Sequence, residues 1–159
     1  GWPWHAAKLG PACADMLVHD VDGDGDSDVI TSSAHAYGIW WHEQLPDGTF
    51  QQHTIAEDIS QTHAMRLVDI NGDENMDFVT GKRYFAHNGN DPGSGEPAVI
   101  VWYEMIRPTE AGGAVQFVRH MVDDNSGIGT QFQTADMNGD GKPDIITSNK
   151  KGVHVFLQK

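Results

Sequence analysis

The chain has 159 residues and a formal net charge of −13, and 38% of its residues are hydrophobic, five Trp and six Phe among them. That apolar share argues for a packed core rather than disorder, and the negative charge disfavours nucleic acid and anionic membrane as partners. No apolar run approaches the roughly 18 residues of a membrane helix, so no membrane insertion is expected. The single cysteine, Cys13, excludes an internal disulfide.

In chain order the first predicted element is WPWH, Trp2 to His5, with the character of an outer strand. The chain opens on Gly1-Trp2-Pro3 without a Met, as expected of a processed or excised product. Next comes DVDGDGDSD, Asp20 to Asp28, in which acidic residues alternate with glycine and small residues. An apolar triplet, Val29 to Thr31, and the aromatic stretch IWWHE, Ile39 to Glu43, follow it. The same succession then returns as FQQH (Phe50 to His53), DINGDENMD (Asp69 to Asp77), FVT (Phe78 to Thr80) and VWYE (Val101 to Glu104). A third copy reads FVRH (Phe117 to His120), DMNGDGKPD (Asp136 to Asp144), IIT (Ile145 to Thr147) and, more loosely, VFLQ (Val155 to Gln158). The His of each outer-strand motif precedes the first loop aspartate by 15, 16 and 16 residues. Three copies define an internal repeat, with units at about 1–48, 49–115 and 116–159.

Each segment between the loops is short, β-branched or aromatic, and bounded by turn residues. Four strands per unit are predicted; in the second they are FQQHTI, AMRLVD, DFVTGK and VIVWYEM. No stretch sustains a 3.6-residue apolar period, so the fold class is all-β. Four short antiparallel strands per repeat are the pattern of β-propeller blades, three of them in this chain.

Oxygen donors at alternate loop positions suit a hard cation that takes six to eight oxygens at roughly 2.3–2.6 Å, which favours calcium over magnesium. Glycine between them lets the backbone curl so that the side chains converge. The expected ligands are Asp20, Asp22, Asp24 and Asp28 with the carbonyl of Asp26. The second set is Asp69, Asn71, Asp73 and Asp77 with the carbonyl of Asn75. The third is Asp136, Asn138, Asp140 and Asp144 with the carbonyl of Lys142. An EF-hand would need a bidentate Glu at position 12, where Thr31, Thr80 and Thr147 stand inside predicted strands. Up to three Ca2+ ions are expected, one per loop, and they would lower the charge from −13 to −7. Glu74 replaces the sixth-position glycine, so the middle loop is the one expected to be strained. Calcium stapling in place of disulfides implies an extracellular or periplasmic location.

These three loops, each ending in an apolar triplet, resemble FG-GAP/VCBS-type repeats, the units of integrin-α-like calcium-binding propellers, and are nearest the bacterial VCBS-like branch. The resemblance covers essentially the whole chain. It implies a secreted, calcium-bearing propeller with a part in adhesion or recognition, and names no ligand.

In such a blade the acidic loops share one rim, and the other connections gather opposite. His35, His63, Lys82, Arg83, Tyr84, Lys150 and Lys151 are therefore expected on one face, suited to a glycan or other anionic ligand without catalysis. The alternatives are a polysaccharide lyase, with His35, His63 and Tyr84 abstracting a proton beside a uronate held by Lys82 and Arg83, and a purely structural scaffold fragment. His5, His53 and His120 are expected to share a packing or hydrogen-bonding role, Trp40, Trp41 and Trp102 to pack between blades, and Cys13 to be a small buried residue. Three blades cannot close a ring that needs roughly four to eight. A homodimer, or the remaining blades of a six- to seven-bladed propeller, is therefore the expected partner.

Overall fold

A computed structural model describes residues 1–110 and 113–159. Its strands form three antiparallel sheets, each a meander of consecutive strands. The first contains β1 (Met16–His19), β2 (Asp28–Ser32), β3 (Tyr37–Gln44) and β4 (Phe50–Ser60) in that order. The second contains β5 (Thr62–Val68), β6 (Asp77–Lys82), β7 (Ile100–Ile106) and β8 (Gln116–Asp123). The third has β9 (Phe132–Ala135), β10 (Asp144–Asn149) and β11 (Gly152–Phe156). The all-β expectation holds, and the sheets stack one on the next.

Period-two alternation builds the stack, because successive side chains of a strand point to opposite faces. On β6, Phe78 enters a cluster with Leu17, Ile30, Met65 and Tyr103, shared by the first and second sheets. Its neighbour Val79 enters a second cluster with Ala64, Ile100, Ile128, Phe132 and Ile145, shared by the second and third. Buried on both faces, DFVTGK therefore forms a strand with the bounds its sequence predicts. Burying a side chain the size of Phe78 contributes about 2–3 kcal/mol.

The sheets are offset by one strand from the sequence units. The segment that opens a unit closes the sheet before it: β4 pairs with β3, Trp41 opposite His53, and β8 pairs with β7, Trp102 opposite His120. His53 stacks on Trp41 with ring centroids 4.4 Å apart and lies 2.6 Å from Glu43 Oε2. His120 repeats the arrangement on Trp102 at 4.0 Å, with Glu104 Oε2 at 3.0 Å. The role expected of His5, His53 and His120 is thus, for the last two, a ring stack closed by a carboxylate, whereas His5 is exposed and outside any strand.

Trp2 to His5 form no strand, and Trp2 and Trp4 are exposed. β3 and β7 already hold their fourth strands, and β11, an edge of the three-stranded sheet, pairs only with β10. Cys13 follows in this irregular segment and is only half-buried. The loose VFLQ match is out of step by one residue. Val155 stands opposite Ile146, as Trp41 does opposite Ile30 and Trp102 opposite Val79.

Candidate functional site

The three acidic loops, joining β1 to β2, β5 to β6 and β9 to β10, repeat one hydrogen-bonding scheme. The first aspartate accepts the amides of positions 4 and 6: Gly23 and Gly25 on Asp20, Gly72 and Glu74 on Asp69, Gly139 and Gly141 on Asp136. The third position accepts the amide of the fifth, from Asp24 to Asp22, Asp73 to Asn71 and Asp140 to Asn138. The fifth accepts that of the seventh, from Asp26 to Asp24, Asn75 to Asp73 and Lys142 to Asp140. Each carboxylate so curls the backbone around itself. Position 6 requires positive φ, +99° at Gly25, +84° at Gly141 and +70° at Glu74. A side chain in that left-handed region costs about 1–2 kcal/mol, so the strain expected in the middle loop is present.

Carboxylate oxygens of Asp20, Asp22 and Asp24 lie within 4.8 Å of one another. An all-oxygen set at that spacing, each oxygen keeping a lone pair beyond its amide, fits a hard divalent cation. In the other loops Asn71 and Asn138 replace one carboxylate and donate to Asp73 and Asp140 at 2.9 and 3.0 Å. Loop amides hold the Asp73 and Asp136 carboxyls below their ordinary range, led by Asn75 and Gly141 respectively. Asp22 is pushed up, chiefly by burial.

The ninth-position aspartates have a task that spacing does not reveal. Asp28, Asp77 and Asp144 are buried, and each spends both oxygens on backbone amides. One oxygen accepts the second loop residue, Val21, Ile70 or Met137, at 2.8–3.1 Å. The other accepts an amide of the third strand or its end, Gln44, Met105 or Gln158, at 2.8–3.3 Å. They bracket the loop to its own sheet. Burial raises the Asp77 pKa against the pull of the Ile70 and Met105 amides.

Loops are also tied to the next sheet. Arg107, just past β7, donates to the carbonyls of Asp20 and Val21, and Gln158 Nε2 donates to the Ile70 carbonyl at 2.8 Å.

At the opposite end of the sheets, the expected face gathers from sequence-distant connections. His35 and His63 meet ring to ring at 5.1 Å, and Arg83 Nη1 lies 2.6 Å from His63 Nε2. Lys151 sits 5.0 Å over the Tyr84 ring and Lys150 5.3 Å over that of Phe85. Arg83, Tyr84, Asn149 and Lys150 line an open pocket of about 250 Å³ with Ile128 and Ser148. Lys82 departs from the expectation. It is buried, and its ammonium donates to the Glu96 carbonyl, so its charge supports the loop instead of facing a ligand. His63 is held neutral, its pKa lowered to about 4 first by burial, then by the charge of Arg83 and by His35.

Sequence reasoning passed over His87, Asp91 and Gln61. The first two sit in the connection between β6 and β7, and Gln61 in the one-residue link between β4 and β5. Positive φ at non-glycine residues marks the area, and a sequence carries no signal for that.

Residues 20–80 match a family model described as FG-GAP-like repeat, spanning the first two acidic loops and β2 through the first part of β6. No curated protein matches the chain. Asp20 to Thr80 is thus similar to an FG-GAP-like repeat, and the third loop repeats the hydrogen-bond scheme of the first two outside that span.

Proposed function

We propose that the chain is a calcium-stapled set of β-propeller blades, secreted to the cell exterior or periplasm, that recognises a polar ligand without catalysis. The observation that carries the calcium reading is the recurrence of one amide cradle in three loops of different sequence, which in the first brings carboxylate oxygens of Asp20, Asp22 and Asp24 within 4.8 Å of one another. Asp20, Asp22 and Asp24, Asp69, Asn71 and Asp73, and Asp136, Asn138 and Asp140 would hold the ions, and the ninth-position aspartates would fix the cradle to the sheet. The ion neutralises carboxylates that otherwise repel one another. Melting in excess calcium and in excess chelator tests this: a markedly lower melting temperature in chelator is expected, and an unchanged melt contradicts it.

Ring closure with a second copy or with further blades is supported by equivalent positions in different surroundings. Met65 and Phe132 are 0% and 3% exposed beneath the preceding sheet, whereas Met16, at the same position on β1, is 51% exposed. Val21 and Ile70 are 1% and 8% exposed beneath the following sheet, and their counterpart Met137 is 55% exposed. A repeat that buries an apolar residue at every internal junction and bares it at both outer faces is built to receive more sheets. Sedimentation is expected to give an assembly larger than 17.4 kDa; a monomer at that mass refutes closure by a second copy.

The ligand face is the basic and aromatic rim of Arg83, Tyr84, Lys150 and Lys151, placed on an acidic protein where it suits an anionic glycan. Binding on an array of acidic glycans, lost in Arg83→Ala and Lys151→Ala, is the expected result. Appearance of unsaturated uronate absorbance would favour the lyase instead.

A further inference from the structure

We propose that His35, His87 and Asp91 form a second kind of metal site, for a borderline first-row divalent cation of the zinc class, at the end of the sheets away from the acidic loops. The residues come from two separate connections, β2–β3 and β6–β7, and their donor atoms lie within 4.8 Å of one another. Both imidazoles aim Nδ1 at one oxygen, Asp91 Oδ2, at 3.3 Å from His35 and 2.9 Å from His87. Two imidazole nitrogens and one carboxylate oxygen are a donor set for zinc-class ions and a poor one for calcium, which takes oxygen alone.

The arrangement is built rather than incidental. Asp91 is 15% exposed at the base, while the two histidines, 51% and 53% exposed, leave an entry and an open side for water or a ligand oxygen. The insertion bearing Asp91 is pinned from below. Buried Gln61 donates to the Pro92 carbonyl at 3.0 Å and to Ser94 Oγ at 3.1 Å, and Lys82 holds the Glu96 carbonyl. Gly93 lies so close to Ser60 and Tyr37 that a Cβ there would come within 2.4 Å of the Ser60 hydroxyl.

Strain marks the same place. Among the described residues the non-glycine positions with positive φ are Gln61, Glu74, Phe85, His87 and Asn88, and all but Glu74 belong to this corner. Backbone strain of that kind costs about 1–3 kcal/mol per residue and concentrates at ligand clamps. His63 walls the cluster but is no ligand, since Arg83 occupies its Nε2. An imidazole that coordinates through Nδ1 carries its hydrogen on Nε2.

The test uses protein stripped of metal and returned to millimolar calcium, then titrated with Zn2+ by calorimetry and with Co2+ by visible absorption. One ion per chain is expected at this site, with affinity lowered about tenfold or more in His35→Gln and in His87→Gln. Asp140→Ala, in an acidic loop, should leave zinc binding unchanged. Imidazole nitrogen NMR of the unsubstituted protein gives a readout independent of variants, with zinc shifting the resonances of His35 and His87 first. No zinc uptake, undiminished uptake in the double His35→Gln/His87→Gln variant, or NMR shifts confined to other histidines would each overturn the proposal.

Discussion

At one end of the sheets three loops repeat the same amide-to-carboxylate bonds, although only positions 1, 4, 5 and 9 of the nine are identical in all of them. At the other end no two connections are alike: one is short, one carries an insertion with left-handed backbone at three non-glycine residues, and one is a tight turn. A feature repeated in every unit serves what every unit needs, which is holding its sheet together against its own charge. A feature present once serves something the molecule needs once. On the proposed reading, structural calcium would belong to the repeated end and selective recognition to the irregular one.

The comparison breaks down unless the loop positions divide into two classes. Asp77→Ala should have the largest effect, about 3 kcal/mol or more in denaturant unfolding, because it leaves the buried Ile70 and Met105 amides unpaired. That loss should be similar with and without calcium. Asp140→Ala should cost about 2 kcal/mol in calcium and much less in chelator, where the carboxylate's repulsion is also removed. Lys142→Ala, which keeps only a backbone carbonyl in the loop, should stay within about 0.5 kcal/mol in both. If Asp140→Ala costs the same in chelator, the fifth-position aspartate is a bracket too, and the division fails.

Within the repeated end, Glu74 is the exception, and it sharpens the contrast. Glu74→Gly should raise stability by about 1 kcal/mol by relieving the left-handed backbone at φ +70°. Gly141→Ala should lower it by a similar amount. A destabilised Glu74→Gly would mean that the glutamate does more than fill a turn.

The last expected effect is a pH slope from the irregular end. Folded His63 takes up a proton only near pH 4, and the unfolded chain does so near 6.5. Its contribution is therefore complete above pH 6.5 and fades as pH falls toward 4. His63→Gln should flatten that part of the stability profile in metal-free buffer; an identical slope would contradict the assignment.

The contrast also explains what the sequence disclosed. Alternation and repetition are local signals, so the loops, the strand DFVTGK and the cradle-forming aspartates could be read directly. Residues whose role needs a partner from elsewhere could not. Trp2 to His5 have the pattern of β4 and β8 but pair with no strand of their own chain, although β11 is left without a fourth strand beside it. Asp28, Asp77 and Asp144 scan as metal ligands, and their bracket to the third strand exists only once the sheet has formed. Lys82 scans as a surface cation, yet the insertion folds over it. Asp91 meets His35 across 56 residues of chain, a distance no motif spans.

Calcium uptake by the metal-free chain, counted by equilibrium dialysis or calorimetry, bears most directly on the account. Three ions per chain are predicted, the middle loop filling last because of Glu74, with one ion lost in each of Asp20→Ala and Asp136→Ala. Absence of saturable calcium binding by a folded chain would contradict it.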